Sequence, residues 1–144
     1  WWDRAVLQGA GYYNDARGFE KTSARATLGG NDRAVFHDTA GNDSYAAWFD
    51  RAIMFGTGYY NEARGFKQTA AHAVAGGYDR AVFYDSAGND TALARAWGAC
   101  LYGTTFQNEA HGFRNVTTQL INGGDNKVDM ESIDYLFNLV GQWS

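Results

Sequence analysis

Proline is absent from this 144-residue chain, and cysteine occurs once, at Cys100. A single cysteine excludes an internal disulfide and leaves the redox compartment unread. Without proline, turns fall to glycine, asparagine and aspartate. No apolar run approaches the roughly 20 residues of a membrane-spanning helix, so membrane insertion is not expected. Positive charge is thin as well: 12 Lys and Arg against 16 Asp and Glu leave a formal charge of -4, without the basic footprint that nucleic acid requires.

What is present favours strands. Hydrophobic residues make up 45% of the chain, enough for one folded unit with a core, and 18 glycines accompany five Trp, nine Tyr and nine Phe. Aromatic side chains and glycine turns suit many short strands better than a helical bundle.

The dominant feature is a repeat. Gly29 to Asp43 returns almost verbatim as Gly76 to Asp90, an offset of 47 residues, and residues 1–47 and 48–94 agree at 29 of 47 positions. A fixed period of this size marks a solenoid, propeller or array. The chain divides into units 1–47, 48–94 and a degenerate 95–124, followed by 125–144, all in one repeat domain 1–144. Trp1 aligns with Trp48, partway through a unit, so the chain is expected to begin as a cut through a longer array. Cys100 aligns with Val6 and Ile53, which makes it a small core residue rather than a reactive thiol.

Within a unit, Phe66 to Ala75 alternates with period two, Gly76-Gly77 ends the run, and Ala81 to Tyr84 forms a second short strand before the turn at Ser86 to Asp90. This predicts an all-β fold, a parallel β-solenoid or β-roll, with an antiparallel hairpin array or sandwich as the alternative. Repeated small Ala residues and fixed Gly-Asn-Asp corners favour the solenoid, whose thin core stacks like on like. Beyond Gly124 the repeat is lost. From Asp129 to Val140 the apolar residues Met130, Ile133, Phe137 and Val140 recur at three- and four-residue steps, which predicts an amphipathic helix capping the open end.

The pieces Ala40-Gly41-Asn42-Asp43-Ser44 and Ala87-Gly88-Asn89-Asp90-Thr91 resemble the nonapeptide of the RTX calcium-binding repeats. The whole unit is similar to tandem repeats with Asp-Ser-Ala-Gly-Asn-Asp-Thr turns in very large secreted bacterial proteins. These resemblances imply secretion, display at the cell surface or in a matrix, and calcium at Asp43 and Asp90 with Asn42 and Asn89. The competing reading of the same residues is turn capping through side chain to backbone hydrogen bonds.

Tyr12, Tyr13, Tyr59 and Tyr60 are the candidate contacts for a polysaccharide or another partner, since sugar rings stack on aromatic faces. His37, His72 and His111 align with Tyr84, Arg25 and Arg64 among others, so no histidine stands out as a ligand or base. Every carboxylate pair likewise has an equivalent in another unit, whereas a catalytic set is assembled once. The expected function is therefore a non-enzymatic, extracellular scaffold. It would assemble filaments or arrays with other copies of the same repeat through strand edges, with a calcium- or carbohydrate-binding adhesive module as the alternative.

Overall fold

The computed structural model describes residues 3–144. Trp1, whose alignment with Trp48 suggests a cut through a longer array, lies with Trp2 outside the described residues. The first unit contributes β1 (Arg4–Gly9), β2 (Tyr12–Arg17), β3 (Lys21–Arg25), β4 (Arg33–His37) and β5 (Ser44–Ala47). The second contributes β6 (Arg51–Gly56), β7 (Tyr59–Arg64), β8 (Gln68–His72), β9 (Arg80–Tyr84) and β10 (Thr91–Arg95). The third contributes β11 (Gly98–Tyr102), β12 (Gln107–His111), β13 (Asn115–Leu120), β14 (Lys127–Met130) and β15 (Leu136–Gly141).

These strands form a two-sheet β-solenoid. The eight-stranded sheet has the order β14-β10-β11-β12-β8-β4-β1-β2, and the seven-stranded sheet β15-β13-β9-β5-β6-β7-β3. Successive units exchange sheets. Thus β4 lies in the larger sheet and its repeat equivalent β9 in the smaller, while β5 and its equivalent β10 are exchanged the other way. Each unit is therefore turned half a revolution from the one before it.

Coil strands pair in parallel, as in β4 with β8 with β12 and β5 with β9 with β13. The first strand of each complete passage runs against its neighbours: β6 is antiparallel to both β5 and β7, and β11 to both β10 and β12. The fold thus joins solenoid stacking with one reversing strand per unit. The Ala-Gly-Asn-Asp turns close no hairpin; they carry the chain from one sheet to the other.

The alternating sequence puts every second residue inside, and the inner faces meet over Phe36, Tyr45, Phe83, Met54 and Leu101, all fully buried. Tyr45 is the hub, with ring centroids 6.1 Å from Phe36, 6.2 Å from Phe83 and 6.1 Å from Phe113. Buried alanines, among them Ala34, Ala47, Ala52, Ala81 and Ala92, let the sheets approach around these rings. A polar chain crosses the same core. The Thr69 hydroxyl donates to Asn108 Oδ1 at 2.6 Å, so the Tyr45 hydroxyl, 2.6 Å from Thr69 Oγ1, must donate to it. Asn108 Nδ2 in turn donates to the carbonyl of Trp48 at 2.9 Å. Cys100 is buried in β11 and its thiol is pushed up to about 12 by burial, which leaves it unreactive.

The expected helical cap at 125–144 is not formed: Asp129 to Val140 falls in β14, a connection and β15. β14 pairs in parallel with β10, and β15 with β13. Those two strands would otherwise present unpaired backbone donors and acceptors, and pairing satisfies them along a ladder that an isolated helix cannot supply. Val128, Phe137 and Leu139 pack on the core, while Met130 and Val140, which suggested the helical spacing, are exposed. The strand plan of the first two units therefore continues through the third to Gly141, although its sequence no longer resembles theirs.

Candidate metal centre and side-chain ladders

Each Gly-Asn-Asp corner is built by its own aspartate. At the first, Asp43 Oδ2 accepts from the Thr39 backbone N–H at 2.8 Å and from its hydroxyl at 3.1 Å. At the second, Asp90 Oδ2 accepts from the Ser86 N–H at 2.6 Å and its hydroxyl at 2.9 Å. These bonds close a tight corner between strands of opposite sheets. Asn42 and Asn89 take a different part. Their Oδ1 atoms accept from the backbone N–H of Tyr78 and Asp125, each at 2.8 Å and each 36 residues on, which fastens one coil to the next. The four corner residues therefore do cap turns and coils, and neither asparagine joins a carboxylate cluster.

Asp43 does join one. Asp38, Asp43 and Asp79, all buried, bring one carboxylate oxygen each within 4.8 Å of the others. Asp38 follows β4, Asp43 precedes β5, and Asp79 precedes β9 on the adjacent coil. The Asp43 N–H donates to Asp79 Oδ1 at 2.8 Å, and the Ala75 N–H to Asp38 Oδ2 at 2.8 Å. Burial raises the carboxyls of Asp38 and Asp79 above the ordinary range, and the neighbouring carboxylates add to the rise. Asp90 is raised by burial too, but its corner pairs it with Asp85 and, in the place of Asp79, with Asn126. Sequence reasoning singled out Asp43 and missed Asp38 and Asp79. Asp79 sits 36 residues from Asp43, not at the repeat offset, so no alignment of units pairs the two.

The tyrosines do not form one row. Tyr12 and Tyr13 lie on β2 of the larger sheet, Tyr59 and Tyr60 on β7 of the smaller. Tyr59 is buried beside the carboxylate corner, whereas Tyr13 and Tyr60 accept hydrogen bonds from Arg4 at 3.2 Å and Arg51 at 2.8 Å. Other aromatics pair in their stead: Trp48 stacks on Tyr84, centroids 4.7 Å apart and planes 1° from parallel.

A histidine ladder is the second feature that repeat alignment hides. The registers of β4, β8 and β12 bring His37, His72 and His111 side by side. Their rings stack at 5.3 and 4.6 Å, and Trp97 covers His111 at 5.0 Å. His111 Nε2 lies 3.0 Å from Glu109, which Arg33 also approaches at 3.6 Å. His72, in the middle, is pushed down to about 4, chiefly by burial and then by the two flanking imidazoles. His37 is lowered by burial and by Arg4.

A depressed histidine is a stability term with a definite sign. Below the ordinary histidine pKa of about 6.5 the unfolded chain takes up a proton that folded His72 refuses. Its contribution is therefore present above pH 6.5 and lost as the pH falls toward about 4. His72→Gln is expected to remove this dependence. Urea unfolding should show the stability difference, wild type minus variant, shrinking or inverting between those pH values. A difference that stays flat with pH would show that the ladder carries no proton linkage.

No family, no curated protein and no solved structure matches this chain. Among the described residues, no helix is long and apolar enough to cross a membrane. The chemistry on offer is thus a buried set of hard oxygen ligands, a stacked imidazole row and open strand edges.

Proposed function

We propose that this chain is a non-enzymatic structural module of an extracellular repeat protein, a stiff β scaffold that joins further copies of its own kind in cell-surface, matrix or filament assembly. The seam between β1 and β4 carries this reading. In the smaller sheet β5 lies between β6 and β9, and in the larger sheet β10 lies between β11 and β14. At the corresponding place in the first unit, β1 pairs directly with β4. A strand from a further repeat unit, of this chain or of another, can enter there by displacing that ladder, with the directions that β5 adopts, antiparallel to β1 and parallel to β4. Because units are related by half a turn, each addition recreates the same edges.

Extracellular placement rests on the resemblance of the Asp-Ser-Ala-Gly-Asn-Asp-Thr turns to those of secreted bacterial repeats. The absence of enzymatic activity is argued from the sequence, where the candidate acid and base carboxylates such as Asp15 and Glu62 recur from unit to unit. A calcium-dependent adhesive module is the second reading, favoured by the three-carboxylate corner. The four tyrosines offer no single polysaccharide face, since Tyr12 and Tyr13 are on one sheet and Tyr59 and Tyr60 on the other.

The seam can be filled on purpose. A chain preceded at its N-terminus by a further copy of residues 39–47 should be more stable than the unextended one by about 1–3 kcal/mol, since the added strand forms two ladders, with β1 and with β4, in exchange for the one between them. Residues of the same composition in scrambled order should have no effect. Sedimentation of the unextended chain should show reversible, concentration-dependent association. No gain from the extension together with a concentration-independent monomer would refute the assembly reading.

A further inference from the structure

We propose that Asp38, Asp43 and Asp79 bind one hard divalent cation, calcium in preference to magnesium, and that this ion bolts one coil to the next. The inference does not depend on the scaffold reading.

The distances suit a single ion. Calcium–oxygen bonds run at about 2.3–2.6 Å, so two ligands on opposite sides of the ion lie at most roughly 5 Å apart. All three carboxylate oxygens fall within 4.8 Å of one another. The donor set is oxygen alone, with no nitrogen or sulfur, which selects calcium or magnesium over zinc or copper. Three carboxylates at one point favour calcium, which takes about six to eight oxygen ligands, over magnesium, which keeps most of its waters and is usually held by one or two carboxylates.

One buried carboxylate oxygen at the site has no partner. Asp38 is 3% exposed, and while its Oδ2 is held by Ala75, its Oδ1 has no hydrogen bond. Tyr59 is 6% exposed, and its hydroxyl is turned to Asp43. Its ring edge and Asp43 Oδ1 share the space above Gly56, which places the phenol against the cluster. Leaving a carboxylate oxygen buried and unpaired is costly, and an ion would satisfy it. Among the described residues, no lysine or arginine forms a salt bridge with any of the three aspartates.

The second unit supplies an internal control. Asp85, Asp90 and Asn126 occupy the equivalent positions, and there the charge is met by protein donors. Asn122 gives Asp85 Oδ1 a bond of 2.8 Å from its side chain and Oδ2 one of 3.0 Å from its backbone, while Asn126 Nδ2 reaches Oδ2 at 3.4 Å. Where the third carboxylate is replaced by an amide, no buried carboxylate oxygen is orphaned. The Gly-Asn-Asp turn is the same in both units. What distinguishes the first corner is Asp79, together with Ala75 in the place of Asn122 and Tyr59 in the place of Phe106.

Calorimetric titration with calcium chloride and thermal melts in calcium chloride, magnesium chloride or EDTA test this. The wild-type chain should bind one calcium and, at a hundredfold excess over Kd, melt roughly 5–10 °C higher than in EDTA. Asp79→Asn should remain folded, as Asn126 shows an amide is accommodated, and lose the response. The double variant Asn122→Ala, Asn126→Asp should bind two ions, and it keeps the proposal testable if Asp79→Asn fails to fold. A wild-type chain whose melting is indifferent to calcium and rises only on acidification would mean that a shared proton occupies the corner. That result, or a calcium response surviving in Asp79→Asn, overturns the proposal.

Discussion

Replacing Tyr45 with alanine is expected to remove roughly 3–5 kcal/mol of folding stability, the range for deleting a large buried aromatic side chain. Its ring touches Phe36 of one sheet, Phe83 of the other and Phe113 at the start of the third unit's coil. Loss of the ring would leave a cavity in a core half of whose buried residues are alanine, with no side chain to swing inward and fill it. The hydroxyl matters separately. Tyr45→Phe keeps the ring but removes the donor to Thr69, at a cost of about 1 kcal/mol. The repeat equivalent of Tyr45 is Ala92, also fully buried, so the effect belongs to this one position of the unit and not to its sequence motif. Denaturant unfolding of the two variants separates packing from hydrogen bonding. A loss below about 1 kcal/mol for Tyr45→Ala would mean that the sheets do collapse around the gap.

Gly77→Ala is expected to be about as damaging, and Gly76→Ala markedly less so. Both glycines have positive φ, 110° at Gly76 and 102° at Gly77, where any side chain is strained by about 1–3 kcal/mol. The difference is space. Nothing lies within 4 Å of a methyl group at Gly76, whereas one at Gly77 would overlap the Gly41 carbonyl of the preceding coil. That carbonyl is backbone in a corner already tied by Asn42 to the Tyr78 N–H, so it cannot step aside. Overpacking of this kind adds about 1–3 kcal/mol. Gly124 meets the Gly88 carbonyl in the same way one unit later, which makes Gly124→Ala an independent repetition. Thermal melts of the three variants should place Gly77→Ala and Gly124→Ala together and Gly76→Ala well above them. Equal melting temperatures would show that backbone strain alone sets the cost and that the coils have room to part.

Much of the architecture was legible before any coordinates. The 47-residue period, the alternation around Ala71 and Ala81, and the glycine-ended corners pointed to a strand solenoid, because period-two patterning has few other solutions. The burial of Cys100 followed from its alignment with Val6 and Ile53. The last strands were not legible. Met130, Ile133, Phe137 and Val140 make a fair helical stripe, and only the unpaired edges of β10 and β13 decide against it. A local pattern says which faces are apolar; it does not say that a sheet edge is waiting for a ladder.

The carboxylate corner and the histidine row were hidden for a related reason. Alignment of units places like residues together, but hydrogen-bonded neighbours are set by how many residues the chain spends in reaching the next coil. That distance is 36 residues from Asp43 to Asp79, and the reversing strands account for the longer sequence period. Asp79 therefore aligns with Asp32 and Asn126 while it sits beside Asp43.

By itself, then, the sequence determined the repeating unit, its strand character and its turn chemistry, since these depend on residues near one another in the chain. Only the tertiary structure decided the half-turn between units, the sheet to which each tyrosine belongs, and which charged groups are buried together. Those depend on the path of the chain through space, where small displacements in register change every neighbour a side chain meets.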